Sequence, residues 1–223
     1  MIIAKKSRLF EKGFALYLLP LLRRSFSHLL GYGIRKIPEK PVIFIANHSS
    51  WWDGLLFFFL NHTVWKHDIH MMMHEKNLRK YIFFRYLGAF SIDKQNPKDI
   101  IRSLQYAEKL LAEGKSVVLF PQGDEYHQEI RPLAFSTGIG YLVEKHPDVP
   151  VVPITFYYSF RHDQKPEVWI RQSSPLSIEK IAGTSRKERT AFLQDTVTAQ
   201  LDALKKEAIA ENVSEFNDLL GKE

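Results

Sequence analysis

A chain of 223 residues, 45% hydrophobic and 25% charged, has the size and composition of one ordinary globular domain, which excludes a largely disordered protein. Eleven Gly and eleven Pro leave no collagen repeat or low-complexity linker, and the absence of Cys removes disulfides, thiolate zinc sites and cysteine nucleophiles together. The net charge of +6 is uneven: residues 1–40 hold nine Lys and Arg against two Glu, while the rest is nearly neutral.

In that basic segment an apolar run from Phe14 to Leu22 is broken by Pro20 and followed by Arg23 and Arg24. The run is about half of the roughly 20 residues needed to cross a bilayer, and no small-residue cleavage site follows it. An apolar stretch flanked by cations is the pattern of an interfacial helix facing anionic lipid. Residues 1–35 are therefore read as a basic amphipathic membrane-contact segment; the competing reading is a core-packed first helix with a solvated basic face. Nucleic acid is disfavoured as a partner, because Leu and Phe separate the cations and no recognition-helix or RNA-binding motif is present.

Residues 36–212 are expected to form one α/β domain. Short branched or aromatic runs predict strands at 42–46, 69–74, 89–92, 116–120, 151–158 and 168–171. Helical patterns fill the intervals at 54–61, 78–87, 98–113 and 135–145, and a long C-terminal helix is expected at 186–211. The alternation predicts a central mixed, mostly parallel sheet flanked by helices. Residues 213–223 are expected to fray.

Two strand exits carry polar residues. In Ala46-Asn47-His48-Ser49-Ser50-Trp51-Trp52-Asp53-Gly54, a buried strand runs into a polar turn. His48 and Asp53, five apart, would not share a helix face, but in a tight strand-to-helix turn they can meet. Asp53 would then accept a hydrogen bond from one imidazole nitrogen and leave the other free as a base; capping of the next helix is its alternative role. In Leu119-Phe120-Pro121-Gln122-Gly123-Asp124-Glu125, Gly123 permits a backbone that brings N–H groups close to a ligand. His62, His67, His70 and His74 form a local run of imidazoles, but 69–74 reads as a strand and no His-Glu-x-x-His pattern is present, so metal binding is not expected.

These segments resemble the lysophosphatidic acid acyltransferase family. Asn47, His48 and Asp53 match its Asn-His-x-x-x-x-Asp motif. Gly88-Ala89-Phe90-Ser91-Ile92-Asp93-Lys94 is similar to its second block, with Lys94 in the Arg place. Phe120, Pro121 and Gly123 match Phe-Pro-Glu-Gly-Thr-Arg, and Val149-Pro150-Val151-Val152-Pro153 is similar to its Val-Pro-x-Val-Pro strand. The four lie in family order over some 110 residues. Gln122, Asp124 and Glu125 depart from the third motif, and Glu125 stands where an Arg is taken to hold the acceptor's phosphate.

The resemblance implies acyl transfer from a thioester, acyl-CoA or acyl carrier protein, to a hydroxyl of a membrane lipid, first a lysophospholipid such as 1-acylglycerol-3-phosphate. His48 would be the general base and Asp53 its orienting partner. Asn47, Lys94, Pro121, Gln122, Gly123, Glu125 and Arg131 are the expected substrate-binding residues, with backbone N–H groups around Gly123 as oxyanion donors. No metal or organic cofactor is required, and the implied location is the cytoplasmic face of a membrane, as a peripheral or monotopic protein. The missing Arg keeps open a non-phosphate acceptor, a glycolipid or glycosylated carotenoid. A thioester hydrolase and a noncatalytic membrane-surface protein are the remaining alternatives.

Overall fold

The computed structural model describes residues 1–37 and 41–221. Its eight-stranded sheet comprises β1 (Leu29–Tyr32), β2 (Ile43–Ala46), β3 (Ile69–His74), β4 (Ala89–Ile92), β5 (Ser116–Leu119), β6 (Val151–Ser159), β7 (Glu167–Gln172) and β8 (Asn217–Asp218). The spatial order is β4-β3-β5-β2-β6-β7-β1-β8. The run from β4 to β6 is parallel, as is the pairing of β7 with β1; β6–β7 and β1–β8 are antiparallel. The expected α/β architecture with a mixed, mostly parallel sheet is the one observed.

Alternation along each strand divides the core in two. Phe44, Val118, Val152 and Phe156 face α1 (Arg8–Ser25) and α2 (Trp52–Leu60). Ile43, Ile45, Val117 and Trp169 face α4 (Pro97–Ala112), α5 (Gly138–Lys145) and α6 (Arg186–Ile209). Caps place the helices on this second face. Asn96 accepts from the N–H groups of Lys98 and Asp99 with Pro97 just inside α4, and Ser185 and Glu188 form a reciprocal capping box on α6.

Several expected boundaries are corrected. The helix expected at 78–87 is two pieces, α3 (Glu75–Lys80) and a 3-10 turn (Ile82–Leu87), separated at Tyr81, whose ψ of 58° breaks the helix. The break lets Phe83 reach Phe10 and Phe14 of α1. The division at residue 35 also falls: β1 pairs with β7 inside the sheet, and Leu18, Leu22 and Phe26 are buried in the core. Helix α1 continues through Pro20, while its outward side exposes Leu9, Leu16 and Tyr17. The helix is thus packed on its inner side, and its outer side exposes basic Arg8, Lys12 and Arg24 together with these apolar residues.

The tail does not fray over 216–220. Phe216 packs on Trp169 and Tyr32, β8 pairs with β1, Leu220 is buried, and its carbonyl accepts from Arg23. Packing of half-buried Phe216 and burial of Leu220 supply the holding energy that a polar tail would lack. Lys222 and Glu223, the end of that expected tail, lie outside the described residues.

Candidate active site

Strands β2, β3, β4 and β5 end at the same edge of the sheet, the place where open parallel sheets hold ligands. After Ala46 the chain leaves β2 through Asn47 and His48 and turns into α2. The fully buried Asp53 sits at the second position of that helix. Its Oδ2 accepts from His48 Nδ1 at 2.8 Å, Ser49 N at 2.8 Å and Ser50 N at 3.0 Å. The same carboxylate therefore ties the turn and orients the imidazole. Because a carboxylate can only accept here, Nδ1 carries the proton and Nε2 keeps its lone pair. The ring stacks on Phe120 with centroids 4.2 Å apart, and His48 lines a cavity of about 1030 Å³.

The turn after β5 is fastened to the first. Gln122 Oε1 accepts from the His48 N–H at 2.8 Å, and Tyr126 N donates to the His48 carbonyl at 3.0 Å. A Glu at position 122 would accept the same N–H, so the amide keeps the tether. Gly123 adopts φ +78°, and its N–H donates to the Phe120 carbonyl. That N–H is spent within the turn, so of the N–H groups around Gly123 its own is engaged. Lys94 lies against Gly123, where an added Cβ would come within 3.2 Å of Nζ, and pairs with Asp124 at 2.6 Å. Glu125 approaches Nε2 of His48 at 3.8 Å.

The cavity extends from His48 between α2, β3 and the 3-10 turn, along Leu55, Phe58, Met71, Phe84 and Leu87. This wall is apolar, whereas Lys94, Asp124 and Glu125 line the polar end. Of the expected substrate-binding residues, Lys94, Pro121, Gly123 and Glu125 line this space. Asn47 does not: the residue is 1% exposed, and its amide closes two hydrogen bonds with the backbone of Phe156, fastening β2 to β6. Gln122 is the tether described above. Arg131 is turned to α6, where it pairs with Asp202 at 2.6 Å and donates to the carbonyls of Gln128 and Ile130. None of these three lines the cavity, and the side-chain polar groups of Asn47 and Arg131 are engaged within the fold.

The four histidines diverge. His67 contacts the Ser116 hydroxyl and the Ile37 carbonyl, His62 stacks on Phe58, His70 is buried in β3, and His74 caps α3. Tyr158 is the site residue that sequence reasoning missed. Its O–H donates to Asp53 Oδ1 at 2.6 Å, and burial together with that carboxylate pushes the phenol well above its usual range. Its place on the Val152, Ile154 and Phe156 side of β6 was the available signal.

The parallel strands thus end at a site where a His–Asp pair, its carboxylate fully buried, opens on a cavity with an apolar wall. The chain belongs to the Acyltransferase family, whose model matches residues 29–157 and so begins at β1. It is similar to the 1-acyl-sn-glycerol-3-phosphate acyltransferase of Streptococcus pneumoniae, with 28% identity over 54% of this chain and 44% of that protein, so the match spans less than half the relative's length. Its fold is similar to that of the 1-acyl-sn-glycerophosphate acyltransferase PlsC from Thermotoga maritima, with a TM-score of 0.63 and 20% identity over 87% of this chain and 82% of that one. These similarities bear out the resemblance to the lysophosphatidic acid acyltransferase family.

Proposed function

We propose that this protein transfers a fatty acyl group from a thioester, acyl-CoA or acyl carrier protein, to a hydroxyl of a membrane lipid, with a lysophospholipid such as 1-acylglycerol-3-phosphate as the first acceptor class. The observation that carries the reading is the 2.8 Å bond from His48 Nδ1 to buried Asp53, which leaves Nε2 as the basic nitrogen at the cavity. In the proposed step Nε2 takes the acceptor's hydroxyl proton as its oxygen attacks the thioester carbon. The tetrahedral intermediate collapses with C–S cleavage, and the imidazolium returns the proton to the leaving thiolate. Asp53 balances the transient imidazolium charge. The thioester is already activated, so no covalent enzyme intermediate is needed and Ser49 and Ser50 are not nucleophiles.

The apolar wall suits the acyl chain, and the polar end suits the acceptor's headgroup. Exposed Leu9, Leu16 and Tyr17 beside Arg8 and Lys12 support contact with an anionic, cytoplasmic membrane surface as a peripheral or monotopic protein. Among the described residues no helix is long and apolar enough to cross a membrane.

A second acceptor class is favoured by one observation. Asp124 neutralises Lys94, and Glu125 faces His48, so a phosphate monoester would meet a carboxylate. That arrangement supports an uncharged glycolipid or glycosylated carotenoid as the alternative. Thiol release from acyl-CoA by purified protein, with an acceptor panel scored by mass spectrometry, tests the reading. Acceptor-dependent release supports transfer, and release independent of any lipid makes the protein a thioester hydrolase. No release from acyl-CoA or acyl carrier protein with any acceptor leaves the noncatalytic alternative. Glu125→Arg is expected to raise use of lysophosphatidate relative to the glycolipid; an unchanged ratio removes Glu125 from the headgroup site.

A further inference from the structure

We propose that Tyr158 is a positioning residue for the His48–Asp53 pair, an assignment that rests on His48 acting as the base. Strand β6 outruns its neighbour: the last β2 pairing is Ala46 with Ile154, and β6 continues to Ser159. The overhang carries Tyr158 across the start of α2, on the same side of the sheet as Phe156. Asp53 is thereby held from two directions. His48, Ser49 and Ser50 donate to Oδ2 from the turn, while the Tyr158 O–H donates to Oδ1 from the sheet.

Tyr158 is itself fixed. The Gln128 side chain donates to its carbonyl at 2.9 Å and accepts from its N–H at 2.9 Å, and its ring packs beside Phe26, 6.3 Å between centroids. Gln128 follows the Pro121–Glu125 turn, so one chain of contacts joins both polar turns and β6 to the carboxylate. A carboxylate anchored by only one oxygen could rotate about its Cβ–Cγ bond, and the imidazole would follow. The phenol removes that freedom.

The charged groups facing His48 are Asp53 from α2 and Glu125 from the turn after β5, with the Lys94–Asp124 pair on the same cavity wall. Against that background, loss of the Tyr158 donor leaves more negative charge on Asp53 to attract an imidazolium. The directional consequence is a titration of His48 at higher pH than in the wild type.

Tyr158→Phe keeps the ring and deletes the donor. The expected result is a kcat about tenfold lower with KM for donor and acceptor within twofold, since the phenol touches neither. The acid limb of the kcat/KM profile and the NMR titration of the His48 ring both move to higher pH. A ring titration that stays with the wild type overturns the assignment, whether or not kcat falls, because a merely structural tyrosine would lower stability without moving it. His48→Ala run alongside separates the two claims: full activity there removes the base on which the assignment rests. An inactive His48→Ala beside an unmoved titration in Tyr158→Phe removes the positioning role alone.

Discussion

Asp53→Asn is the perturbation whose size the geometry constrains best. The carboxylate accepts three N–H groups on Oδ2 and one O–H on Oδ1. An asparagine that placed its NH₂ at the Oδ2 position would confront three donors with two more, so the amide oxygen must take that place. The NH₂ then faces Tyr158, whose hydroxyl can rotate to accept. In this arrangement Nδ1 keeps its proton and the tautomer survives, but the negative charge is gone. Two unit charges about 4 Å apart attract by about 4 kcal/mol at an effective dielectric of 20. Losing that for the transient imidazolium sets a ceiling of about 10³ on the fall in rate, short of the roughly 10⁴ seen where the tautomer itself is wrong. Single-turnover acyl transfer, followed by thiol release at saturating donor and acceptor, measures it. The expected loss is about 10² to 10³. A variant within threefold of wild type would refute the reasoning and leave Asp53 as the tie of the turn only.

Other outcomes follow from particular contacts. Gly54→Leu adds a side chain whose Cβ starts 3.4 Å from Met71 Sδ and whose remainder enters the cavity; competition among acyl-CoAs of different lengths should shift toward shorter chains, and an unchanged profile would place the acyl chain elsewhere. Asn47→Ala strands the buried N–H and C=O of Phe156 and is expected to cost about 2–4 kcal/mol in urea unfolding, whereas an unchanged midpoint would return Asn47 to a substrate role. Paired Leu9→Asp and Leu16→Asp substitutions, at side chains 83% and 80% exposed, should reduce sedimentation with anionic vesicles without altering thermal stability; undiminished binding would remove α1 from the membrane contact. Point changes are the suitable probe there, since truncation of residues 1–30 would also take away buried Leu18, Leu22 and Phe26 and part of β1.

What the sequence made legible was local. The turn from Asn47 to Asp53 is short enough for a strand exit and a helix start to bring His48 and Asp53 together, and the structure joins them at 2.8 Å. The central strands were readable because burial on both faces makes them continuous apolar runs. Tyr158 was out of reach because it meets Asp53 across 105 residues, and one tyrosine at the end of an apolar strand looks like any other. Arg131 and Lys94 posed the same difficulty: each has a carboxylate partner, Asp202 or Asp124, that only tertiary packing supplies. Strand β1, four residues with an internal Gly31, carries little strand signal of its own and exists because β7 and β8 flank it. The same dependence explains Asn47, whose motif position suggested a ligand contact while its amide completes the strand pairing that β2 abandons.

The most direct test of the account is consumption of an acyl thioester by the purified protein with a lysophospholipid acceptor, compared between wild type and His48→Ala under single-turnover conditions. His48 leaves the sheet in a turn with its side chain 19% exposed, so its removal should leave the fold intact by circular dichroism. General-base assistance is worth about 10² to 10⁴ in rate, and the account predicts a loss in that range with Asp53→Asn close behind. Wild-type turnover above half in His48→Ala would contradict it.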